Sequence, residues 1–246
     1  MTSLFSIKVK GVSKRFASTV ALDQVVFHFD AAKIHGLIGP EGAGKTTLMR
    51  IILGLLKPNS GEIGYFQDKK DVPFSFVKNK MAYMPQQPSL YADLSIEEHL
   101  QFFKQIYQLS RQEYQSKRDE LYNITKLGAF ADRPAGKLSG GMYKKLGLMC
   151  ALLRSPEIIL LDEPTNGVDP ISRRELWELL YRLTGSKILI LLSTAYMDEA
   201  ERCSVVHLLD SGKPISEGDP KSLLKQNNVK SFDALFLSKS QNEHDE

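Results

Sequence analysis

The sequence predicts an α/β fold, a mainly parallel sheet flanked by helices, on three observations. Strand-like aliphatic runs alternate with helix-like runs along most of the chain, the pattern of a parallel sheet covered on both faces. A glycine-rich loop, Gly39-Pro40-Glu41-Gly42-Ala43-Gly44-Lys45-Thr46-Thr47, joins one such strand, Ile34 to Ile38, to a helix. Between about residues 89 and 154 the character turns helical, as if a second, helical unit were inserted between strands. At 246 residues the chain is one large domain or a core plus a subdomain, with ample length to bury a core.

In order, Phe5 to Val12 and Val25 to Phe29 read as strands separated by the turn-like Phe16-Ala17-Ser18-Thr19. Phe27 and Phe29 alternate with His28 and Asp30, the period of a half-buried strand, so His28 and His35 read as strand residues and not ligands. After the glycine-rich loop, Leu48, Ile51, Ile52 and Leu55 mark one buried helix face, and Lys57-Pro58-Asn59-Ser60-Gly61 stops that helix. Asp68 to Val72 and Phe74 to Lys80 read as loop and connector, and Met81 to Met84 as a strand. Ser95 and Ser110, each followed three residues later by glutamate, open two helices as capping boxes. The aromatics that follow (Phe102, Phe103, Tyr107, Tyr114, Tyr122) read as subdomain core. Ile158 to Leu161 is a buried strand, Ser172-Arg173-Arg174-Glu175 a third capping box, and Lys187 to Ser193 another buried strand. Val205 to Leu209 and Pro214 to Ser216 form a closing hairpin. From about Gln226 the chain is polar, and 238–246 is expected to be disordered.

The glycine-rich loop carries the first chemistry. Its glycines let the backbone turn tightly enough to aim N–H groups at phosphate oxygens, and the helix behind adds the positive end of its dipole. Lys45 reaches the outer phosphates, and the Thr46 hydroxyl is placed for Mg2+. By chance the pattern arises in roughly 1% of chains of this length at average residue usage. Nucleotide binding follows from it, but a kinase, a GTPase or a motor would share it.

Composition narrows the partners. A net charge of +3 is too small to argue for nucleic acid or an anionic membrane surface. No run approaches the roughly 20 apolar residues that cross a bilayer, and Met1 to Ser6 lack a secretory apolar core. Cys150 and Cys203 lie in apolar or helical patterns and read as reduced core thiols.

Two further elements sharpen the function. The aliphatic strand Ile158 to Leu161 delivers Asp162 and Glu163 to the sheet edge where open α/β sheets bind ligands. Asp162 there can hold Mg2+ directly or through water, and Glu163 can orient and deprotonate an attacking water. Leu138-Ser139-Gly140-Gly141-Met142 opens another helix, with Ser139 as its cap and two glycines that let a phosphate approach. A second phosphate-binding helix end in a one-site chain makes sense if it serves another molecule's nucleotide.

Together these residues resemble the ATP-binding subunit of ABC transporters, over about residues 5 to 225. In that family the loop at 39–47 is Walker A, 158–163 is Walker B, and 138–142 is the signature motif. Pro85-Gln86 matches the Q-loop, Asn166-Gly167-Val168-Asp169-Pro170 the D-loop, and Phe16 the aromatic that stacks on adenine. The resemblance implies a P-loop NTPase with a small antiparallel β subdomain near the N-terminus and an inserted helical subdomain. It implies a domain over 1–225 (core 1–88 and 155–225, helical subdomain about 89–154) and a polar tail over 226–246. ATP and Mg2+ are the implied cofactors, with Gln86 joining Thr46 and Asp162 at the metal. A second ATP-binding subunit is implied, in a homodimer or heterodimer, with Ser139, Gly140 and Gly141 closing over the partner's ATP and Asp169 linking the two sites. A membrane-spanning permease is implied too, and a cytoplasmic place on the inner face of the cell membrane. In style the motifs resemble the export branch, which handles drugs, antibiotics or solvents. Three departures stand out: Glu41 for the usual Asn, Met142 for the usual Gln, and Ala195 where the family places its switch His. Alanine cannot donate a hydrogen bond, so a slow or non-hydrolytic nucleotide-gated module is the alternative reading.

Overall fold

The computed structural model describes residues 4–87, 89–185 and 187–242. Met1 to Ser3, Pro88 at the expected edge of the core, and the last four residues of the expected tail lie outside that description. Two sheets build the frame. Strand β1 (Phe5–Phe16) and β2 (Thr19–Phe29) pair antiparallel through a turn at Ala17 and Ser18, so both run longer than their hydrophobic alternation indicates. Alternation is lost because the register shifts between Val9 and Val12, where Gly11 adopts a left-handed φ of 57°. As expected, Phe27 and Phe29 are buried while His28 between them is exposed.

Strand β3 (Ile34–Ile38) runs into the glycine-rich loop and helix α1 (Lys45–Ile52). The helix stops one turn sooner than the apolar spacing indicates. Leu53 is its C-cap, Gly54 turns left-handed, and Leu55 emerges 68% exposed, so Met49 takes the core position instead. Next come β4 (Ser60–Gln67), β5 (Lys70–Val72) and the short α2 (Phe74–Val77), where the sequence indicates loop and connector. β4 pairs with β1, with Gly61 lying so close to the Gly11 carbonyl that a Cβ would approach it to 2.3 Å. Its glycines hide the strand from propensity reasoning, yet Tyr65 is buried and donates its hydroxyl to the Ile52 carbonyl at 2.5 Å.

Strand β6 (Met81–Met84) is followed by the helical insert: α3 (Ile96–Ile106), α4 (Arg111–Thr125) and α5 (Gly140–Leu152). Both expected capping boxes form, Ser95 with Glu98 and Ser110 with Glu113, each side chain and backbone bonded reciprocally. Of the aromatics expected in the subdomain core, Tyr114 is buried, and Tyr114 and Tyr122 both donate hydroxyls to Glu97 at 2.8 Å.

Strand β7 (Ile158–Asp162) leads to α6 (Pro170–Thr184), then β8 (Leu189–Thr194), the hairpin of β9 (Val205–Asp210) and β10 (Lys213–Gly218), α7 (Pro220–Gln226) and α8 (Phe232–Asn242). The third capping box does not form. Asp169 caps α6 instead, accepting from the N–H groups of Ile171 and Ser172, and Pro170 takes the first helical position. The polar tail also differs from expectation, because α8 buries Phe232 and Leu235 in the main core. Two apolar anchors offset a polar sequence that shows no helical periodicity.

The strand orders are β2-β1-β4-β5 in the antiparallel sheet and β10-β9-β3-β8-β7-β6 in the larger one, whose β6, β7, β8, β3 and β9 are parallel. The larger sheet is buried on both faces. Ile159, Leu161, Ile190 and Leu192 face the helical insert and α6, while Ile158, Leu160, Leu189 and Leu191 face α1 and the antiparallel sheet. This is why β7 and β8 read as continuous aliphatic runs.

Two buried clusters carry testable consequences. Burial pushes the Cys150 thiol up to about 12 and that of Cys203 higher still. The reactive thiolate is therefore scarce in the fold, and neither cysteine is expected to react with iodoacetamide at pH 8 until denaturant is added, which mass spectrometry reads directly. Glu199 is 0% exposed and accepts from Arg173 Nε (2.7 Å), Trp177 Nε1 (3.1 Å) and Thr165 Oγ1 (3.0 Å). Glu199→Ala strands those donors, and we expect it to cost about 3 kcal/mol in urea unfolding. A loss under 1 kcal/mol counts against the network's role.

Candidate functional site

The site lies at the C-terminal ends of three adjacent strands, β3, β8 and β7. β3 delivers the glycine-rich loop, which closes by a bond from Gly39 N–H to the Thr194 carbonyl at the end of β8. Gly44 holds a φ of 102° and lies where a Cβ would meet the Ala21 carbonyl at 2.4 Å, so only glycine fits. No side chain caps α1 behind it, which leaves its first N–H groups directed at the loop. A cavity of about 330 Å³ opens there, bounded by Thr19, Val20 and Ala21, by residues 41–47, and by Gln86 and Glu163.

Lys45 is 4% exposed and folds back to donate to the carbonyls of Gly39 (2.7 Å) and Pro40 (2.8 Å), 3.6 Å from the Glu163 carboxylate. Burial pulls its ammonium below the usual lysine range against the opposing pull of Glu163. Thr46 donates its hydroxyl to Asp162 at 2.8 Å. The same carboxylate accepts from Ser193 Oγ at 2.5 Å and Tyr83 Oη at 3.1 Å. Burial first, and then Asp162, push the Tyr83 phenol up to about 12, so it stays a donor. A hydroxyl and a buried carboxylate side by side are the hard oxygen ligands that suit Mg2+ shared with a phosphate. Among the described residues, no group of three or more His, Cys, Asp or Glu side chains could hold a metal ion.

Glu163 takes a left-handed φ of 46°, a strained backbone for a residue with a side chain. Ser193 Oγ accepts its N–H at 3.0 Å, and its carboxylate accepts from Gln86 Nε2 (2.7 Å) and Asn166 Nδ2 (3.0 Å). Gln86 thus donates to Glu163 and borders the same cavity as Thr46, whose hydroxyl reaches Asp162. Ser193, Tyr83 and Asn166 were assigned no part in this arrangement by sequence reasoning. The polar end of an otherwise aliphatic β8 was a signal for Ser193; Tyr83 and Asn166 act through contacts no local pattern announces.

The other expected residues do not line this cavity. Phe16 is half-exposed at the end of β1, with Lys14 Nζ 5.2 Å from its ring centroid. Ser139 caps α5, accepting from the Met142 N–H at 3.3 Å, and Ser139 and Gly140 are exposed. Gly141 is buried, and a Cβ there would come 2.3 Å from that of Ser172. Its lack of a side chain is thus required by the packing of α5 on α6, whatever it offers a phosphate. Gly140 and Lys144 line a separate cleft of about 740 Å³ between α5, the segment after β6 and the turn at Asn166 and Gly167.

A phosphate-binding loop on one strand of a parallel sheet, with an acidic strand end two strands away, defines a P-loop nucleotide-binding protein. The ABC transporter family's sequence profile matches residues 22–166, and the chain belongs to that family. It is 44% identical over 233 residues to the probable multidrug ABC transporter ATP-binding protein YbhF of Escherichia coli K12, covering 92% of this chain and 39% of that protein. Nod factor export ATP-binding protein I of Sinorhizobium fredii is 34% identical over 222 residues, covering 90% of this chain and 65% of that protein. This chain therefore spans less than two thirds of either relative. A solved ATP-binding subunit of an ABC transporter superimposes with a TM-score of 0.82 at 30% identity, covering 95% of this chain and 99% of that one. The fold is that of ABC ATP-binding cassettes.

Proposed function

We propose that this chain binds ATP with Mg2+ in the loop at 39–47 and hydrolyses it to drive export of a small molecule through a separate membrane-spanning partner. The observation that carries the reading is the convergence of Lys45, Thr46 and Glu163 on one cavity at the strand ends, with buried Asp162 bonded to the Thr46 hydroxyl. In this reading backbone N–H groups and Lys45 hold the β- and γ-phosphates, and Thr46 and Asp162 hold the Mg2+, which screens phosphate charge. Glu163 takes the proton of the attacking water, and Gln86 orients that water once it leaves the Glu163 carboxylate. Phe16, exposed at the rim strand, stacks on the adenine.

The export role rests on membership of the family and on relatives named for multidrug and Nod factor export. No described helix is long and apolar enough to cross a membrane; the membrane-spanning partner follows from the family reading. Through it the chain would sit at the inner face of the membrane. Exposed Ser139 and Gly140 support a dimer, homo or hetero, in which each copy closes over the other's nucleotide. Ala195 favours a second reading of the rate, a slow nucleotide-gated cycle, since alanine offers the γ-phosphate no donor. Equilibrium binding of a fluorescent ATP analogue, followed by Mg2+-dependent phosphate release, tests the proposal. A folded chain that binds no nucleotide overturns it.

A further inference from the structure

One buried cation has no part in the reading above. Lys144 lies on the second turn of α5, 8% exposed, with an ammonium that reaches out of the helical insert into the core. It donates to the carbonyl of Gln86 at 2.5 Å and to the carbonyl of Glu163 at 3.3 Å. Burying an ammonium is costly unless donors are satisfied, and a cation near the positive end of a helix gains nothing from the dipole. A methionine would fill the same channel more cheaply. The charge is thus accounted for by what it holds: the main chain of the two residues whose side chains meet at 2.7 Å over the cavity.

The held residue is also the strained one. With φ at 46°, Glu163 needs its surroundings to keep it there. Ser193 secures its N–H, the Asn166 N–H secures its carbonyl at 3.2 Å, and Lys144 is the third tie, the one that comes from the helical insert. Because α5 begins at Ser139, the end of the helix that would face a partner's nucleotide and the cation that grips Gln86 and Glu163 belong to one rigid element.

We infer that Lys144 is a positioning residue, which carries the placement of the α5 N-terminus into the placement of Gln86 and Glu163. The inference rests on the proposed roles of those two residues. Lys144→Met keeps the apolar stem and loses the donors; Lys144→Arg restores donors. In the full chain at varied Mg-ATP, Lys144→Met should lower kcat about tenfold while KM and Tm stay close to wild type, since a misplaced catalytic group costs rate and not binding. Lys144→Arg should recover most of that rate. An unchanged kcat in Lys144→Met, or a rise in KM alone, overturns the inference, as does a loss that Arg does not rescue. Should Lys144→Met not fold, Lys144→Gln, too short to span both carbonyls, is read the same way. Glu163→Gln run alongside separates the two readings. If it hydrolyses ATP normally, the base assignment falls, while a rescued kcat loss at Lys144 still supports its hold on Gln86.

Discussion

Glu163→Gln is expected to lower ATP turnover by roughly 10²- to 10³-fold while leaving ATP binding intact, because an amide cannot take the water's proton. The geometry makes the two effects separable. In the proposed site the phosphates are held by the loop backbone, Lys45 and Thr46, and of these Lys45 lies beside the charge at 163. Lys45 is even freed, since the carboxylate 3.6 Å away no longer competes for it, so affinity should hold or rise. Glutamine preserves size and an acceptor for Gln86 and Asn166, which keeps the strained turn in place. The variant should therefore accumulate ATP-bound dimers, visible by gel filtration with Mg-ATP. Turnover within twofold of wild type would falsify Glu163 as the base.

Ala195→His is the second large effect, in the opposite direction. Ala195 follows Thr194 at the end of β8, the strand between the phosphate-binding loop and Asp162. Ser193 on the same strand end already binds Asp162 and the Glu163 N–H, so an imidazole two residues on enters next to the reacting groups. Residue 195 is half-buried and followed by the exposed Tyr196, whose ring packs under Arg173 at 4.5 Å. One added transition-state donor is worth on the order of a hundredfold, so saturating Mg-ATP turnover should rise at least about tenfold. KM should change little. If turnover does not rise, another group already supplies that donor, and slow cycling cannot be ascribed to Ala195.

Much of this site was legible because its parts are local. A glycine-rich turn and a capped helix start are each written in fewer than ten consecutive residues, and backbone geometry there follows from residue type. That is why residue type alone marks the loop at 39–47, the Asp162-Glu163 strand end and the caps at Ser95, Ser110 and Ser139. Errors arose where a local signal met a stronger tertiary one. Ser172 looked like a cap, but Asp169 and Pro170 start the helix a turn earlier. Leu55 continued an apolar period, yet Gly54 turned it to solvent. The tail looked polar throughout, while Phe232 and Leu235 were enough to dock it.

By itself the sequence determined the class of ligand, the order of the sheet-forming and helical parts, and the position of the glycine-rich loop, since these depend on neighbouring residues. The tertiary structure decided how those residues are held. Ser193 reaches Asp162 across adjacent parallel strands, Gln86 meets Glu163 from 77 positions away, and Lys144 crosses from another subdomain to grip both. Such ties form only once packing brings distant side chains within about 3 Å, a range no spacing along the chain encodes.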